Sequence, residues 1–471
     1  MEVRTRFAPS PTGYLHIGGL RTALYAYLYA KKNGGKFILR IEDTDLERYV
    51  DGAVEVIYST MREAGLIWDE GPDVGGEYGP YIQTERKDIY LKYARQLVEQ
   101  GDAYYCFCTK ERLAKMHEDG ATKYDKHCLS LSREEVERRI AAGEPYVIRQ
   151  NIPETGSTTY HDMVFGDITV ENKELEDNVL IKSDGMPTYN FANVIDDHLM
   201  RISHVIRGVE YLSSTPKYNL LYKAFGWELP QYMHLQPIMR DATHKLSKRH
   251  GDASYDDFIK KGYLKDAILN YIALLGWSPK NDREKFTLDE MVEMFSVEGL
   301  SKSASIFDEA KMRWLNSCYV KELSPEDYYA HALPFMEKFD YLKGYDLRYL
   351  ATLLQGRTEI FSDVEKLTAF LTEFDGFDLD LFVNQKWKTD RDLAKKMIPD
   401  LMGLVRDDFD NLHDALVAYA EKSGYKKGQV LWVFRIAITG AAATPGGATE
   451  MATLLGKEKV AARLALTLER L

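Results

Sequence analysis

Pro9-Ser10-Pro11-Thr12-Gly13-Tyr14-Leu15-His16-Ile17-Gly18-Gly19 decides the reading of the N-terminal half, because it separates two patterns of different period. Before it, Val3-Arg4-Thr5-Arg6-Phe7 alternates apolar and polar positions, the period of a strand. Pro9, Pro11 and Gly13 then force a loop. After it, Ile17, Leu20, Leu24 and Leu28 recur three to four apart, which marks one face of a helix running from His16 to Lys32. Lys31, Lys32, Gly34 and Gly35 end that helix as helices usually end. Phe37-Ile38-Leu39-Arg40-Ile41 reads as a second strand. Strand, helix and strand within about 40 residues form a βαβ unit, which predicts a parallel, Rossmann-like α/β sheet.

The same stretch is a candidate nucleotide site. No Gly-x-x-x-x-Gly-Lys-[Ser/Thr] occurs in the chain, which excludes a P-loop, and no Gly-x-Gly-x-x-Gly follows a strand, which removes the dinucleotide fingerprint. A helix N-terminus at His16 to Gly19 would offer free N–H groups and positive dipole character to an anion. Gly18 and Gly19 lack Cβ atoms and would let a nucleotide lie against the backbone, and His16 can donate to phosphate oxygens. This segment alone is equally compatible with an ordinary glycine-rich helix start. Far downstream, Lys245-Leu246-Ser247-Lys248-Arg249 carries lysines three apart. In a loop they can close over a triphosphate, where in-line attack at the α-phosphorus builds charge that preorganised cations stabilise. An isolated Lys-x-x-Lys is otherwise an exposed basic loop.

At 471 residues the chain is too long for one core and should form several domains. It is 45% hydrophobic and 28% charged, ordinary for a globular protein. The start, Met1-Glu2-Val3-Arg4-Thr5-Arg6, has no apolar stretch of signal-peptide type, no apolar run is long enough to span a bilayer, and four cysteines are too few for a disulfide framework. These features predict a reduced, cytoplasmic protein away from membranes. The net charge of −12 counts against a general nucleic-acid coat but leaves room for one positive face. Local basic clusters are Lys245, Lys248, Arg249 and His250; Lys386 and Lys388 around Trp387; and Lys426 with Lys427. Each is also compatible with a solvated surface.

Between Gln83 and Asn190 an amphipathic helix (Tyr90, Tyr93, Ala94, Leu97), a cysteine-containing segment and short strands read as an inserted α/β module. The α/β pattern resumes through Val205-Ile206-Arg207-Gly208, and after about Tyr319 strand signals nearly vanish, which predicts an all-α C-terminal third. The chain contains no internal repeat or low-complexity tract.

His16-Ile17-Gly18-Gly19 is similar to the class I His-Ile-Gly-His signature, and Lys245 to Arg249 is similar to Lys-Met-Ser-Lys-Ser. With the Pro-Ser-Pro-Thr-Gly lead-in, Arg40-Ile41-Glu42-Asp43-Thr44-Asp45, Pro187-Thr188-Tyr189-Asn190-Phe191-Ala192-Asn193, Leu212-Ser213-Ser214-Thr215-Pro216-Lys217 and Asn270-Tyr271-Ile272-Ala273-Leu274-Leu275-Gly276-Trp277, the chain resembles the bacterial glutamyl-tRNA synthetases over essentially its whole length. Val209 is a minor departure, since the family more often has an acidic residue there. The resemblance implies a monomeric glutamate–tRNA ligase. It would condense glutamate with ATP, accompanied by Mg²⁺, and move glutamate to the terminal adenosine of tRNA(Glu), with tRNA(Gln) as a second acceptor left open. Its other readings are a tRNA-modifying glutamyl transferase of a shortened type, against which the long helical C-terminus argues, and a silent tRNA-binding paralogue, against which intact His16, Glu42, Lys245 and Lys248 argue.

A glutamate pocket needs a cation for the side-chain carboxylate and an anion for the ammonium. Arg6 and Arg207, at strand ends, suit the first because a guanidinium fork grips a carboxylate with two bonds, and Glu42 suits the second. Either Arg6 or Glu42 alone is also compatible with a surface charge. The resemblance implies the same assignment. It adds Ala8, Ser10, Tyr189 and Asn193 to the glutamate site, and places Thr12, Glu210, His16, Gly18, Gly19, Lys245 and Lys248 in the ATP and catalytic site.

Cys106-Phe107-Cys108 precedes Tyr124-Asp125-Lys126-His127-Cys128, so three of the four cysteines fall in 23 residues, and zinc favours such S and N ligands. Some family members, and the shortened relative, carry a structural zinc on a similar Cys-x-Cys, Tyr-x-x-x-Cys pattern, often with His two beyond the last Cys. That place is Ser130 here, so the fourth ligand is left between Tyr124 and His127, and reduced structural thiols remain an alternative. Arg357, Arg435 and the Thr444-Pro445-Gly446 segment match positions that contact anticodon bases in the family, with Gly447 departing from a bulkier residue. The expected organisation is a catalytic domain in two halves, 1–83 and 191–250, an inserted acceptor-stem-binding module at 84–190, a stem-contact domain at 251–322 and a helical anticodon-binding domain at 323–471.

Overall fold

The computed structural model describes residues 2–45, 48–246, 254–372, 374 and 376–471. Strand β1 (Arg4–Phe7), helix α1 (Ile17–Lys32) and strand β2 (Lys36–Leu39) make the βαβ unit, with β1 and β2 paired in parallel from Arg4 opposite Lys36 to Phe7 opposite Leu39. The apolar stripe of α1 is its buried face, since Ile17, Leu20, Leu24 and Leu28 are fully buried. The helix starts one residue after His16 because His16 is its N-cap: its backbone is extended and its imidazole accepts the Gly18 N–H. Strand β2 stops short of the expected Ile41. The Arg40 N–H still bonds Phe7 O at 3.0 Å, but the Ile41 N–H turns to Tyr81 O at 2.9 Å.

The next strands are β3 (Ala103–Cys106), β4 (Val147–Gln150), β5 (Ser157–Asp162), β6 (Gly166–Glu171) and β7 (Val179–Ile181). β3, β4 and β7 form an antiparallel sheet in that order. The helix Lys87–Gln100 lays Tyr90, Ala94 and Leu97 into the core this sheet shares with Phe191, Ala192, Ile195 and Leu221. β8 (His204–Gly208) and β9 (Gln231–Leu235) then pair in parallel, from His204 opposite Gln231 to Gly208 opposite Leu235. The hairpin β5–β6 does not stay with its sequence neighbours. It extends the edge of β9 through one parallel pair, Asp162 opposite Tyr232. β1 meets β8 through the Ser203 N–H to Arg4 O bond of 2.9 Å.

The chain forms two compact units, one reaching to Phe258 and including Lys265–Glu309, the other made of Ile259–Leu264 and Ala310–Leu471. Among the described residues the second unit is helical, with Pro325–Met336, Arg391–Asp407, Leu412–Ser423, Lys427–Thr439 and Lys457–Arg470 as its longer helices. They close over one core that includes Tyr328, Met336, Leu350, Phe361, Met397, Leu401, Phe434 and Leu464. Gly428 is needed for close approach here: a Cβ on it would stand 2.1 Å from the Trp387 ring.

A buried ion pair fixes the start of the first sheet. Arg4 donates to both oxygens of Glu70, at 2.8 and 2.9 Å, and Tyr81 and Lys36 add hydrogen bonds of 2.7 and 3.1 Å. Burial alone would raise the Glu70 carboxyl, but the hydrogen bonds from Arg4, Tyr81 and Lys36 outweigh it and bring its pKa down to about 2. A depressed folded-state pKa stabilises the protein above the unfolded value, about 4.3, and the contribution is lost as pH falls through the folded value. Glu70→Gln should therefore cost roughly 3–5 kcal/mol at neutral pH. Its stability, followed by thermal unfolding, should also fall less steeply than that of the wild type between about pH 4 and pH 2. Identical acid limbs would show that Glu70 is not the linked group.

Candidate active site

The carboxyl ends of β1 and β8 lie against each other, since Arg6 Nη1 donates to Ile206 O at 3.2 Å. Arg6, Glu42, Arg207 and His234 gather at these ends, where open α/β sheets bind ligands. The segment ahead of α1 is tied to the same place, because the Glu42 N–H bonds Pro9 O at 3.0 Å and the Thr12 N–H bonds Ser10 O at 2.8 Å. Ala8, Ser10 and Thr12 thus border Glu42, with Ser10 exposed.

Arg6 and Glu42 belong to a charge network buried below the surface. Asp197, on the helix Tyr189–Leu199, accepts from Arg6 Nε and Nη2 at 3.0 and 3.1 Å and from Arg40 Nη1 at 2.7 Å. Arg40 in turn donates through Nη2 to Glu42 Oε1 at 2.9 Å. Asp196 accepts from Arg86 Nε at 2.7 Å, Gln83 Nε2 at 2.9 Å and the Tyr90 hydroxyl at 2.9 Å, and its Oδ2 lies 3.8 Å from Arg40 Nε. Burial pushes the Asp197 carboxyl up, but Arg6 and Arg40 overcome it and hold the carboxyl below the usual range. Burial raises the Glu42 carboxyl, and Arg40 and Arg6 only partly oppose it. Arg6 therefore spends one edge of its fork internally. Glu42 spends one oxygen on Arg40, and among the described residues its other oxygen takes no hydrogen bond.

Arg207 is different. It is 5% exposed, and no carboxylate of the described residues reaches ion-pair distance of it. Its Nε donates to His234 Nε2 at 3.2 Å and its Nη2 to Thr215 Oγ1 at 2.7 Å. The rings of Tyr218, Tyr211 and Tyr232 lie 4.9, 5.3 and 5.5 Å from its guanidinium carbon. Ring faces stabilise a cation only modestly, so a buried guanidinium held this way retains its demand for an anion. Tyr189 borders the same space, its ring 5.0 Å from that of Tyr211, and Asn193 is buried with its amide donating to Tyr189 O.

Beside this pocket lies the α1 N-terminus. The Gly18 N–H donates to His16 Nδ1 at 3.0 Å, so the ring proton of the neutral imidazole is on Nε2. A Cβ on Gly18 would stand 3.3 Å from that Nδ1, and one on Gly19 would stand 3.2 Å from Leu15 Cδ1. The glycines thus make room for the cap and for Leu15. Glu210 is exposed and folds its carboxylate over Gly208, where an added Cβ would meet it at 2.2 Å. Lys245 is exposed and bridges antiparallel to Met239, and Lys248 lies outside the described residues.

The sulfur cluster assembles as the spacing predicts. The Sγ atoms of Cys106, Cys108 and Cys128 all lie within 4.8 Å of one another, with Cys108 and Cys128 3.5 Å apart. The Tyr124 hydroxyl is 3.3 Å from both Cys106 and Cys108. His127 is exposed and does not join the group. A hydrogen bond from Cys128 outweighs burial and, with one from Tyr124, brings the Cys106 thiol down to about 4, while Cys128, the donor, is pushed up. Four S and O atoms this close suit one tetrahedral ion with metal–sulfur bonds of about 2.3 Å.

In the helical unit Arg357, Thr444 and Pro445 line a cavity of about 600 Å³ with Phe370, Phe374 and Phe377. Arg435 lines a second, of about 570 Å³, with Trp387, Trp432, Lys426 and Lys427. Burial, and then repulsion from Arg357, lower the Arg435 pKa, so the two guanidinium groups lie within electrostatic reach of each other.

Residues 2–314 match the family described as tRNA synthetases class I (E and Q), catalytic domain, and residues 327–468 match the anticodon binding domain. The chain is 53% identical to the glutamate–tRNA ligase of Clostridium botulinum (strain Eklund 17B / Type B), covering 100% of this chain and 99% of that one. It is 53% identical to that of Clostridium novyi (strain NT), covering 100% and 98%. The crystal structure of a glutamate tRNA ligase from Elizabethkingia meningosepticum in complex with its amino acid superposes with a TM-score of 0.89 at 34% identity, covering 100% of this chain and 99% of that one. The chain belongs to the glutamate–tRNA ligases.

For a glutamate–tRNA ligase, the sequence points to Arg6, Glu42 and Arg207, which the structure brings to the same strand ends, and gives little sign of the residues packed behind them. Arg40 appeared only as part of a family motif, and Asp197, Thr215, His234 and Asp162 were not singled out. Asp196-Asp197, directly after the mostly apolar run Phe191 to Ile195, is a usable signal, because adjacent carboxylates on a buried helix need partners. Asp162 and His234, 72 positions apart, gave none. Arg207→Gln should lower kcat/KM for glutamate about 10- to 100-fold, the range for losing hydrogen bonds to a charged group, with KM for ATP little changed. Unchanged glutamate kinetics would remove Arg207 from the amino-acid site.

Proposed function

We propose that this glutamate–tRNA ligase holds the glutamate side-chain carboxylate on Arg207 and the ammonium on Glu42. The observation that carries the reading is the buried Arg207 guanidinium, which among the described residues has no carboxylate at ion-pair distance, near the end of β2 where Glu42 spends one oxygen on Arg40. Arg6 supplies the wall and a further donor, and Ala8, Ser10, Tyr189 and Asn193 complete the pocket. ATP lies along the α1 N-terminus on Thr12, His16, Gly18, Gly19 and Glu210, with Lys245 and Lys248 closing over its phosphates. Mg²⁺ accompanies the triphosphate and offsets its charge.

In the reaction the glutamate α-carboxylate attacks the α-phosphorus of ATP, forming glutamyl-adenylate as pyrophosphate leaves. A hydroxyl of the tRNA terminal adenosine then attacks the activated carbonyl and releases AMP. His16 and the two lysines would act as donors to phosphate oxygens as charge develops on them. Lys248→Ala is expected to lower kcat by about 10²–10³, and wild-type turnover would exclude it from the chemistry.

Residues 84–190 are assigned to the acceptor stem, 251–322 to further stem contacts and 323–471 to the anticodon. Arg357, and Arg435 with Trp387 and Trp432 beside it, suit unstacked bases and their phosphates. The chain is read as a monomer in the cytoplasm, where its product is used. Arg357→Ala should raise KM for tRNA about tenfold with less effect on kcat. Aminoacylation with labelled glutamate and purified tRNA(Glu) and tRNA(Gln) tests the whole assignment and decides whether the second tRNA is also an acceptor.

Cys106, Cys108, Cys128 and Tyr124 fit a structural zinc, which would staple β3 to the Tyr124–Cys128 loop. Elemental analysis of protein purified without chelator should find about one zinc per chain, and Cys128→Ser should lose it and lower the unfolding temperature. Metal-free protein of full stability would make the cluster a set of reduced thiols.

A further inference from the structure

Behind Arg207 lies a second layer that fixes the tautomer of one buried imidazole, His234, whose Nε2 lies 3.2 Å from Arg207 Nε and 3.3 Å from Thr215 Oγ1. Asp162, at the end of β5, is fully buried and accepts four N–H groups: Val164 and Phe165 on Oδ1, each at 2.9 Å, and the His234 backbone and Nδ1 on Oδ2, at 3.1 and 2.7 Å. Those bonds outweigh burial and hold the Asp162 carboxyl below its usual range, so it stays an anion. An anionic carboxylate can only accept, so His234 carries its proton on Nδ1. Burial lowers the His234 pKa, which leaves the ring neutral. Its Nε2 therefore offers a lone pair, and it offers it to Arg207 Nε at 3.2 Å. Further along the same edge, the Thr215 hydroxyl gives its proton to Tyr211 O at 2.8 Å and so accepts from Arg207 Nη2 at 2.7 Å. Both contacts take donors on one edge of the guanidinium and leave Nη1 open to the pocket.

We propose that Asp162 and His234 are positioning residues for amino-acid selection: Asp162 fixes the His234 tautomer, and His234 fixes the orientation in which Arg207 meets a carboxylate rather than a carboxamide. The inference rests on Arg207 being the glutamate-binding cation. A misdirected guanidinium loses the paired geometry that a carboxylate rewards, while a neutral amide never had it. Loss of the relay should therefore weaken glutamate more than glutamine. With the wrong tautomer, an Nε2–H would point at Arg207 Nε–H and push the fork away.

The test measures kcat and KM for glutamate, KM for ATP and the glutamate-to-glutamine ratio of kcat/KM, with tRNA present, in Asp162→Asn, His234→Phe, His234→Gln and Arg207→Gln. Asp162→Asn and His234→Phe should raise KM for glutamate about 10- to 100-fold, lower the ratio by a similar factor, and leave kcat and KM for ATP within a few-fold. His234→Gln, which restores an acceptor near the Nε2 position, should recover most of the loss. If His234→Phe does not fold, the near-isosteric Asp162→Asn carries the test. A ratio unchanged in Asp162→Asn while Arg207→Gln loses it would overturn the relay, as would His234→Gln being as impaired as His234→Phe. An unchanged ratio in Arg207→Gln would instead overturn the glutamate-site reading beneath it.

Discussion

Asp197 makes the active site possible. A guanidinium removed from water carries a desolvation cost of several kcal/mol that only close, well-aligned partners offset. Asp197 serves two of them at once, accepting from Arg6 at 3.0 and 3.1 Å and from Arg40 at 2.7 Å. It thereby joins β1 and the end of β2 to the helix Tyr189–Leu199, although these elements are far apart in the chain. The helix can hold two adjacent acids because Asp196, next in line, is occupied by Arg86, Gln83 and Tyr90. Asp197, Arg40, Asp196 and Arg86 are paired with one another inside the protein, which makes them the scaffold on which Arg6 and Glu42 stand.

Function begins where that pairing stops. Arg207 sits one strand away, equally buried, with aromatic faces, a hydroxyl and a neutral imidazole in place of a carboxylate. Such a group is costly to keep until an anion arrives. A ligand bringing one negative charge at its far end and a positive charge near Glu42 satisfies both residues at once. The selectivity expected for glutamate is thus a property of imbalance: the protein supplies one cation too many at one end of the pocket.

The sequence disclosed what is local. The period change at Pro9 to Gly19 located the βαβ unit, and the stripe Ile17, Leu20, Leu24 and Leu28 is fully buried in the structure. The spacing of Cys106, Cys108, Tyr124 and Cys128 was enough to anticipate a cluster, because a short loop must return them to one strand end. His16 reads as a phosphate donor, and that its imidazole also caps the helix by accepting the Gly18 N–H is something no residue pattern spells out. What stayed hidden is what the fold makes by long-range pairing. The hairpin β5–β6 leaves its neighbours in sequence to join β9 at Asp162 and Tyr232, and periodicity carries no information about which edge a strand chooses.

That choice of edge has a consequence for inheritance. Asp162 lies within the stretch 84–190 assigned to the acceptor stem, yet its carboxylate ends on the imidazole behind the pocket arginine. The part of the chain that would grip the end of a tRNA and the part that would grip the amino acid are therefore not separable pieces. A chimera that borrowed this stretch from another synthetase would bring a foreign anchor for Arg207 with it. Such a graft could recognise its new tRNA and still lose its amino acid. On the proposed assignments the two sites would share one hydrogen-bonded contact, and exchange of one partner alone would have to preserve Asp162.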